Sequence, residues 1–113
     1  MVTPTDTATD TRLDKAFQAL ADPVRRRLLV QLSQGDQTAG ALADPFPISR
    51  PAVSRHLKVL RDAGLVSVRT DGRERWFSLR PNGVTDAEAW IEELRQIWRS
   101  SLFELKSFVE GWE

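Results

Sequence analysis

The sequence predicts one mainly α-helical domain that carries a single β-hairpin. Three observations support this class. Apolar residues recur every three or four positions in five segments, which is the period of an amphipathic helix. Residues 65–80 instead contain two short strand-like runs separated by Asp71-Gly72, a dipeptide typical of hairpin turns. The chain has 113 residues, which is the length of one domain with one core.

The N-terminal part of the chain is expected to contain a tail and two helices. Residues 1–11 are rich in threonine and aspartate and predict a disordered tail. A first helix is expected from about Arg12, on the spacing of Leu13, Ala16, Phe17 and Leu20. Asp22-Pro23 predicts the start of the second helix, because aspartate caps free N–H groups and proline suits the first helical position. Gly35 is expected to end it.

Two further helices are expected close together. Thr38 suits the N-cap of a short third helix, which Pro45 and Pro47 prevent from continuing. Ser49 caps a fourth helix over residues 49–63. The buried stripe of this fourth helix is expected to consist of Val53, Leu57 and Leu60.

A hairpin and a long helix complete the predicted domain, which covers residues 12–113. The hairpin occupies residues 65–80, and Pro81-Asn82-Gly83 then breaks the chain. The last helix is expected over residues 86–110. Its apolar stripe comprises Ile91, Leu94, Trp98, Leu102, Leu105, Val109 and Trp112. The expected order is therefore α-α-α-α-β-β-α.

The composition excludes several classes of protein. There is no cysteine, so neither a disulfide nor a thiolate metal site can form. The first residues lack a signal peptide's apolar segment, and no apolar run approaches the roughly 18 residues of a membrane helix. We expect a soluble, cytoplasmic protein.

The charge is distributed unevenly, although the formal net charge is zero. Residues 49–80 hold eight Arg or Lys against three Asp or Glu, which is +5. Residues 1–48 carry −1 and residues 81–113 carry −4. Because a phosphate backbone responds to the local field, this basic middle third is compatible with DNA binding. Such a charge run is also typical of an ordinary solvated face.

The third and fourth helices have the order and spacing of a helix-turn-helix unit, which places its second helix in the major groove of DNA. The side of the fourth helix opposite its buried stripe carries Arg50, Pro51, Ser54, Arg55 and Lys58. Arginine can make paired hydrogen bonds to guanine, while serine and lysine suit bases or phosphates. The alternative is an amphipathic helix that simply faces solvent.

The segments FQALADPVRRRLLVQL, ISRPAVSRHLKVLRDAGLV and VRTDGRERWFSL follow one another within residues 17–79. Their order and spacing resemble those of the bacterial ArsR/SmtB-type winged helix-turn-helix repressors. The resemblance implies a dimer whose first and last helices form the subunit interface and whose fourth helix enters the major groove. It implies DNA contacts from Ser49, Arg50, Pro51, Ser54, Arg55 and His56. His56 has an alternative structural role, packed half-buried against the second helix.

The hairpin is expected to act as the wing. Arg69, Arg73 and Arg75 lie on or beside its tip. Such arginines would contact the sugar-phosphate backbone or the minor groove, where the potential is strongly negative. The alternative is an exposed hairpin whose charges protect its edge from pairing with other strands.

The last helix has an apolar stripe too wide to bury on so small a domain. A second copy of the chain is the simplest cover, and a two-fold dimer would present two recognition helices. The expected interface residues are Leu13, Phe17, Trp90, Leu94, Trp98, Leu102 and Leu105. Intramolecular packing and an effector pocket lined by tryptophans are the alternatives.

The metal sites for which the resembled family is known lack their ligands here. The third-helix site needs a Cys-x-Cys pair, but residues 39–43 read AGALA. The last-helix site needs a histidine, and none follows His56. We therefore expect no metal and no cofactor, and the effector is left open.

The expected function is that of a homodimeric regulator that binds double-stranded DNA. An enzyme is not expected, because His56 has no nucleophile and orienting partner and the chain has no phosphate-binding glycine loop. A protein–protein adaptor would require apolar residues in place of Arg50, Ser54 and Arg55. A regulator of the MarR kind would require longer flanking helices. Repression at an inverted-repeat operator is implied by the resemblance.

Overall fold

A computed structural model describes residues 7–111 of the chain. Residues 1–6 of the expected tail, and Trp112 of the expected stripe, lie outside the described residues. The elements are, in order, α1 Thr7–Leu20, α2 Pro23–Leu32, β1 Gln37–Thr38, α3 Ala39–Ala43, α4 Arg50–Asp62, β2 Val66–Asp71, β3 Glu74–Leu79 and α5 Thr85–Glu110. This confirms the predicted mainly helical class with a hairpin wing.

The disordered tail predicted for residues 1–11 is wrong for residues 7–11, because α1 begins at Thr7. The Thr11 hydroxyl donates to the Thr7 carbonyl at 2.9 Å. The next residue is Arg12, whose Nε donates to Asp86 Oδ2 of α5 at 2.7 Å. The start of α1 is therefore tied to a residue 74 positions away, which the local composition does not reveal.

The predicted order α-α-α-α-β-β-α lacked one strand. Residues Gln37–Thr38 form β1, which pairs antiparallel with β3 and makes a three-stranded sheet of order β1-β3-β2. Gln37 lies opposite Phe77, and Thr38 lies opposite Trp76. A strand of two residues is too short for an alternating pattern, so the sequence carried no signal for it.

The predicted hairpin is present, but its turn lies one residue later than the predicted Asp71-Gly72. Asp71 pairs with Glu74, which leaves Gly72 and Arg73 as a two-residue loop. Gly72 has φ +63°, a left-handed conformation that a glycine adopts without steric cost. Thr70 pairs with Arg75, and Arg69 pairs with Trp76. Since neighbouring residues of a strand point to opposite faces, Arg69 and Arg75 lie on opposite faces of the sheet.

The three helix caps predicted from the sequence are confirmed. Asp22 Oδ1 accepts from the backbone N–H groups of Val24 and Arg25, at 2.8 and 3.2 Å. Thr38 Oγ1 accepts from the Ala41 N–H at 3.2 Å, and Ser49 Oγ accepts from the Ala52 N–H at 3.3 Å. Each cap satisfies N–H groups that the first turn of a helix leaves free.

The core lies between α2, α3, α4 and the sheet. Its most deeply buried side chains are Leu28, Leu42, Val53, Leu57, Leu60 and Val66. Three of these side chains, Val53, Leu57 and Leu60, form the predicted stripe of α4. Burial of each one away from water stabilises the fold by about 1.5–3 kcal/mol. Burial of that stripe fixes the rotation of α4, so that the opposite side of the helix faces outward.

Helix α5 extends away from this core. Ala87 is its one buried residue among those described, and the principal extents of the chain are 70 × 32 × 21 Å. Helix α1 packs beside its first turns. Within residues 7–111, no helix combines the length and the hydropathy that a bilayer crossing would require.

Candidate nucleic-acid interface

The outward face of α4 consists of exposed polar and basic side chains. Arg50, Ser54, Arg55 and Lys58 are all exposed. Arg55 and Lys58 lie on the side away from the buried stripe, whereas Arg50 lies at the N-terminal end of α4, seven residues before the buried Leu57. Pro51 lies exposed in the first turn, after the Ser49 cap. The N-terminal end of α4 also presents its backbone N–H dipoles, which favour an anion. This face can therefore donate hydrogen bonds and offer positive charge along two turns of helix.

A groove runs between α4 and strand β3, and four basic side chains line it. They are Arg55, Lys58, Arg61 and Arg75. Ala39, Leu57 and Phe77 also line the groove and supply apolar surface. The groove joins the outward face of α4 to the wing, so that residues from two separate predicted sites share one surface.

Arg61 belongs to this groove and was missed at the sequence level. Arg61 lies three positions after Lys58, so both lie on the same side of α4. Asp62 moderates both charges, at 3.6 Å from Lys58 Nζ and 4.0 Å from Arg61 Nε. The helical spacing from Lys58 is the signal that could have found Arg61.

Arg75 is held against the floor of the groove. Its guanidinium carbon lies 5.4 Å from the centre of the Phe77 ring, a favourable cation–π distance. Because Phe77 is buried, Arg75 stands on the core-facing side of the sheet and reaches toward α4. Arg73 is exposed at the hairpin tip, beyond Gly72.

The structure does not bring Arg69 together with these side chains. Its NH1 donates to Asp36 Oδ2 at 2.7 Å, on the opposite face of the hairpin. The guanidinium also lies 5.5 Å from the centre of the Trp76 ring. Hydrogen bonds from Arg69 and Ser78 hold the pKa of Asp36 below its ordinary value. Arg69 thus anchors the wing to the segment that precedes β1.

His56 is half-buried and points toward α2. Its Nδ1 lies 3.2 Å from Arg25 NH1, which is the placement expected of the structural alternative for this residue. Asp22 caps the same helix nearby. Desolvation acts to raise the pKa of Asp22, but the backbone N–H groups of Arg25 and Val24 and the charges of His56 and Arg25 together lower it.

A second surface lies on α1 and α5, where the predicted interface residues are placed. Leu13 is buried within the protomer and Leu94 is half-buried. Phe17 and Trp90 meet edge to face, with ring centres 5.9 Å apart. Trp98, Leu102 and Leu105 are more than half exposed, as are the neighbouring Ile97 and Phe103.

The described residues contain no cluster of three or more His, Cys, Asp or Glu side chains that would hold a metal ion between residues 7 and 111. The basic groove and the apolar face of α5 are two surfaces whose chemistry suits a partner. The groove suits a polyanion, and the face suits another apolar surface.

Comparisons with known proteins agree on the class of this chain. A family model described as a helix-turn-helix domain matches residues 20–69. The HTH-type transcriptional regulator Rv2034 of Mycobacterium tuberculosis is 44% identical over 79% of this chain and 80% of its own length. The transcriptional repressor SdpR of Bacillus subtilis is 37% identical over 70% of this chain and 88% of its own.

Solved structures show the same architecture. An ArsR family transcriptional regulator aligns with a TM-score of 0.76 at 37% identity, over 80% of this chain and 94% of its own. An ArsR-like regulator from Rhodococcus sp. RHA1 aligns with a TM-score of 0.73 at 30% identity, over 90% of this chain and 96% of its own. The predicted resemblance is confirmed by these relatives.

Proposed function

Because this chain belongs to the ArsR/SmtB family of winged helix-turn-helix transcriptional regulators, which are not enzymes, we propose that it binds double-stranded DNA as a homodimer. The DNA is an inverted-repeat operator, and occupancy of the promoter represses transcription. The protein acts in the cytoplasm. Two copies of α4 enter successive major grooves about 34 Å apart.

The observation that carries this proposal is the exposed, basic, outward face of α4, continuous with the wing through a groove lined by arginine and lysine. Arg50, Ser54 and Arg55 lie at the N-terminal half of α4, from which side chains reach base edges. Lys58 and Arg61 lie further along and suit phosphate. His56 supports α4 from its α2 side.

The wing contributes phosphate contacts through Arg73 and Arg75. Arg75 faces the groove beside α4, and Arg73 stands at the tip of the hairpin. Arginine near a narrow minor groove meets the strongest negative potential of the duplex. Arg69 has a supporting role, because its guanidinium binds Asp36 on the other face.

The second copy covers the apolar face formed by α1 and α5. Trp98 is 63% exposed and Leu105 is 58% exposed, on a helix that projects away from the core. Single exposed apolar residues are common, but a contiguous face of this length marks an association surface. A two-fold pair of such faces is self-complementary, and Phe17 with Trp90 would lie at its edge.

A protein–protein adaptor is the second candidate function. An adaptor surface would be apolar at its centre, where aromatic residues usually dominate. The outward face of α4 instead carries Arg50, Ser54, Arg55 and Lys58. This distribution favours a phosphate-rich partner.

Selection of duplexes from a randomised library tests the proposed function, followed by fluorescence anisotropy on the selected sequence. Arg55→Ala removes a base contact and is expected to weaken binding about 10- to 100-fold, since one bidentate contact is worth about 1–3 kcal/mol. Arg27→Ala is the matched control, because Arg27 is an exposed arginine of α2 outside the groove.

The double variant Arg50→Ala with Arg55→Ala gives the sharper result. It is expected to lose discrimination between selected and random duplex while it remains a dimer by sedimentation. Wild-type affinity in this double variant would refute the assignment of α4 as the recognition helix.

A further inference from the structure

One arginine joins three helices at the base of the recognition helix. Arg25 is borne on α2, and its Nε donates to the Ala19 carbonyl of α1 at 2.7 Å. Its NH2 donates to the Gln18 carbonyl at 2.8 Å. Its NH1 lies 3.2 Å from His56 Nδ1 of α4. The planar guanidinium therefore fixes the end of α1 and the side of α4 at once.

The end of α1 explains why arginine is needed there. The last carbonyls of a helix have no partner within the helix, and α1 is followed by Ala21 and Asp22 with no glycine to close the turn. Arg25 donates hydrogen bonds to two of these carbonyls, and Arg26 NH1 donates to the Leu20 carbonyl at 2.8 Å. Two adjacent arginines thus share the capping of α1, and Arg25 in addition contacts α4.

The chemistry of arginine sets the direction of the hydrogen bond between Arg25 and His56. Arginine remains charged and can only donate, so the Nδ1 of His56 must accept. A side chain that replaces His56 therefore keeps the contact only if it offers an acceptor to Arg25.

We propose that Arg25 is a positioning residue, which sets the orientation of α4 relative to α1 and thereby the spacing of the two recognition helices in the dimer. This inference rests on the proposed function. Helix α1 carries Phe17, which packs on Trp90 of α5 at the proposed subunit interface. Phe17 is adjacent in sequence to Gln18, whose carbonyl Arg25 binds. The path from the interface to α4 is therefore short, and each step is a direct contact.

The test measures how strongly the wild-type protein and its variants prefer one distance between the two half-sites of the operator. The probes are the duplex that the wild-type protein selects from a randomised library, and two derivatives with one base pair inserted or deleted between the half-sites. Each base pair rotates and displaces a half-site, so the wild-type protein is expected to bind the derivatives at least tenfold more weakly. Arg25→Ala is expected to reduce this preference to about threefold or less.

Arg26→Ala is the matched control, because it removes an arginine that caps α1 at Leu20. It is expected to lower thermal stability and retain the tenfold spacing preference. Equal spacing preference in Arg25→Ala and Arg26→Ala would overturn the inference. A merely structural role for Arg25 predicts that equality.

A pair of substitutions at His56 keeps the test decisive if Arg25→Ala folds poorly. Asparagine can place an acceptor near the position of Nδ1, whereas leucine cannot. His56→Asn is expected to retain the spacing preference, and His56→Leu is expected to lose it. Retention by His56→Leu would contradict the inference. Failure of the wild-type protein to select any duplex would instead overturn the proposed function, together with everything that rests on it.

Discussion

Arg69 NH1 donates to Asp36 Oδ2 at 2.7 Å and so ties strand β2 to the segment between α2 and β1. This ion pair lies on the face of the hairpin opposite Arg75. Arginines six positions apart therefore serve different purposes. Arg69 holds the wing in place, and Arg75 completes the basic groove beside α4.

Acidification is expected to remove the stabilisation that comes from Asp36. Because the fold lowers the pKa of this carboxyl below its ordinary value of 3.8, its contribution is present above that value and is lost as the pH falls through the folded-state pKa. Urea unfolding of wild-type protein and Asp36→Asn should differ by a constant small amount between about pH 5 and 8, and the difference should shrink below about pH 4. Arg69→Gln should reproduce this loss without adding to it in the double variant. A difference that stays constant down to pH 2.5 would contradict this prediction.

The salt dependence of DNA binding is expected to separate the two arginines. Arg75→Ala should lower the slope of log K against log salt by about 0.9, which corresponds to one phosphate contact. Arg69→Ala should leave the slope near that of the wild-type protein, because Asp36 engages its guanidinium on the other face. Anisotropy titrations between about 50 and 200 mM KCl measure both slopes. The division of roles fails if both variants lower the slope equally.

Truncation of Trp98 is expected to weaken the dimer. Its side chain is 63% exposed in the single chain, in the middle of the apolar face of α5. Loss of a central interface tryptophan costs about 2 kcal/mol or more, so Trp98→Ala should raise the dimer dissociation constant about 30-fold. Val30→Ala is the control, because Val30 is 65% exposed but lies on α2. Sedimentation velocity over a dilution series measures the constant, and an unchanged value for Trp98→Ala would argue for another use of this face.

A methyl group at Gly83 is expected to destabilise the fold. A Cβ there would lie 3.0 Å from the Gly64 carbonyl oxygen, 3.0 Å from Leu65 Cα and 3.2 Å from the Arg80 carbonyl oxygen. All three are backbone atoms, so the strain requires a backbone shift, and Gly83→Ala should cost about 1–3 kcal/mol. Gly40→Ala meets nothing within 4 Å and should leave the unfolding free energy unchanged or slightly higher. Equal midpoints for the two variants in thermal unfolding would show that the segment after β3 is free to move.

The sequence alone determined the elements whose signals are local. Asp22, Thr38 and Ser49 cap the helices that they were expected to cap, because a capping side chain acts on N–H groups two or three residues away. The period of Val53 and Leu57 determined which side of α4 is buried and, by exclusion, which side is exposed. The wing and the exposed side of α4 could therefore be predicted.

Only the tertiary structure decided which of these residues meet. Arg25 and His56 are 31 positions apart, and Arg69 and Asp36 are 33 apart. Neither pair has a local pattern, because each forms only after distant elements have packed on the shared core. The same reason hides strand β1, which exists because β3 is present beside it. Local sequence sets which side chain points outward, but the packing of helices and strands sets what that side chain can reach.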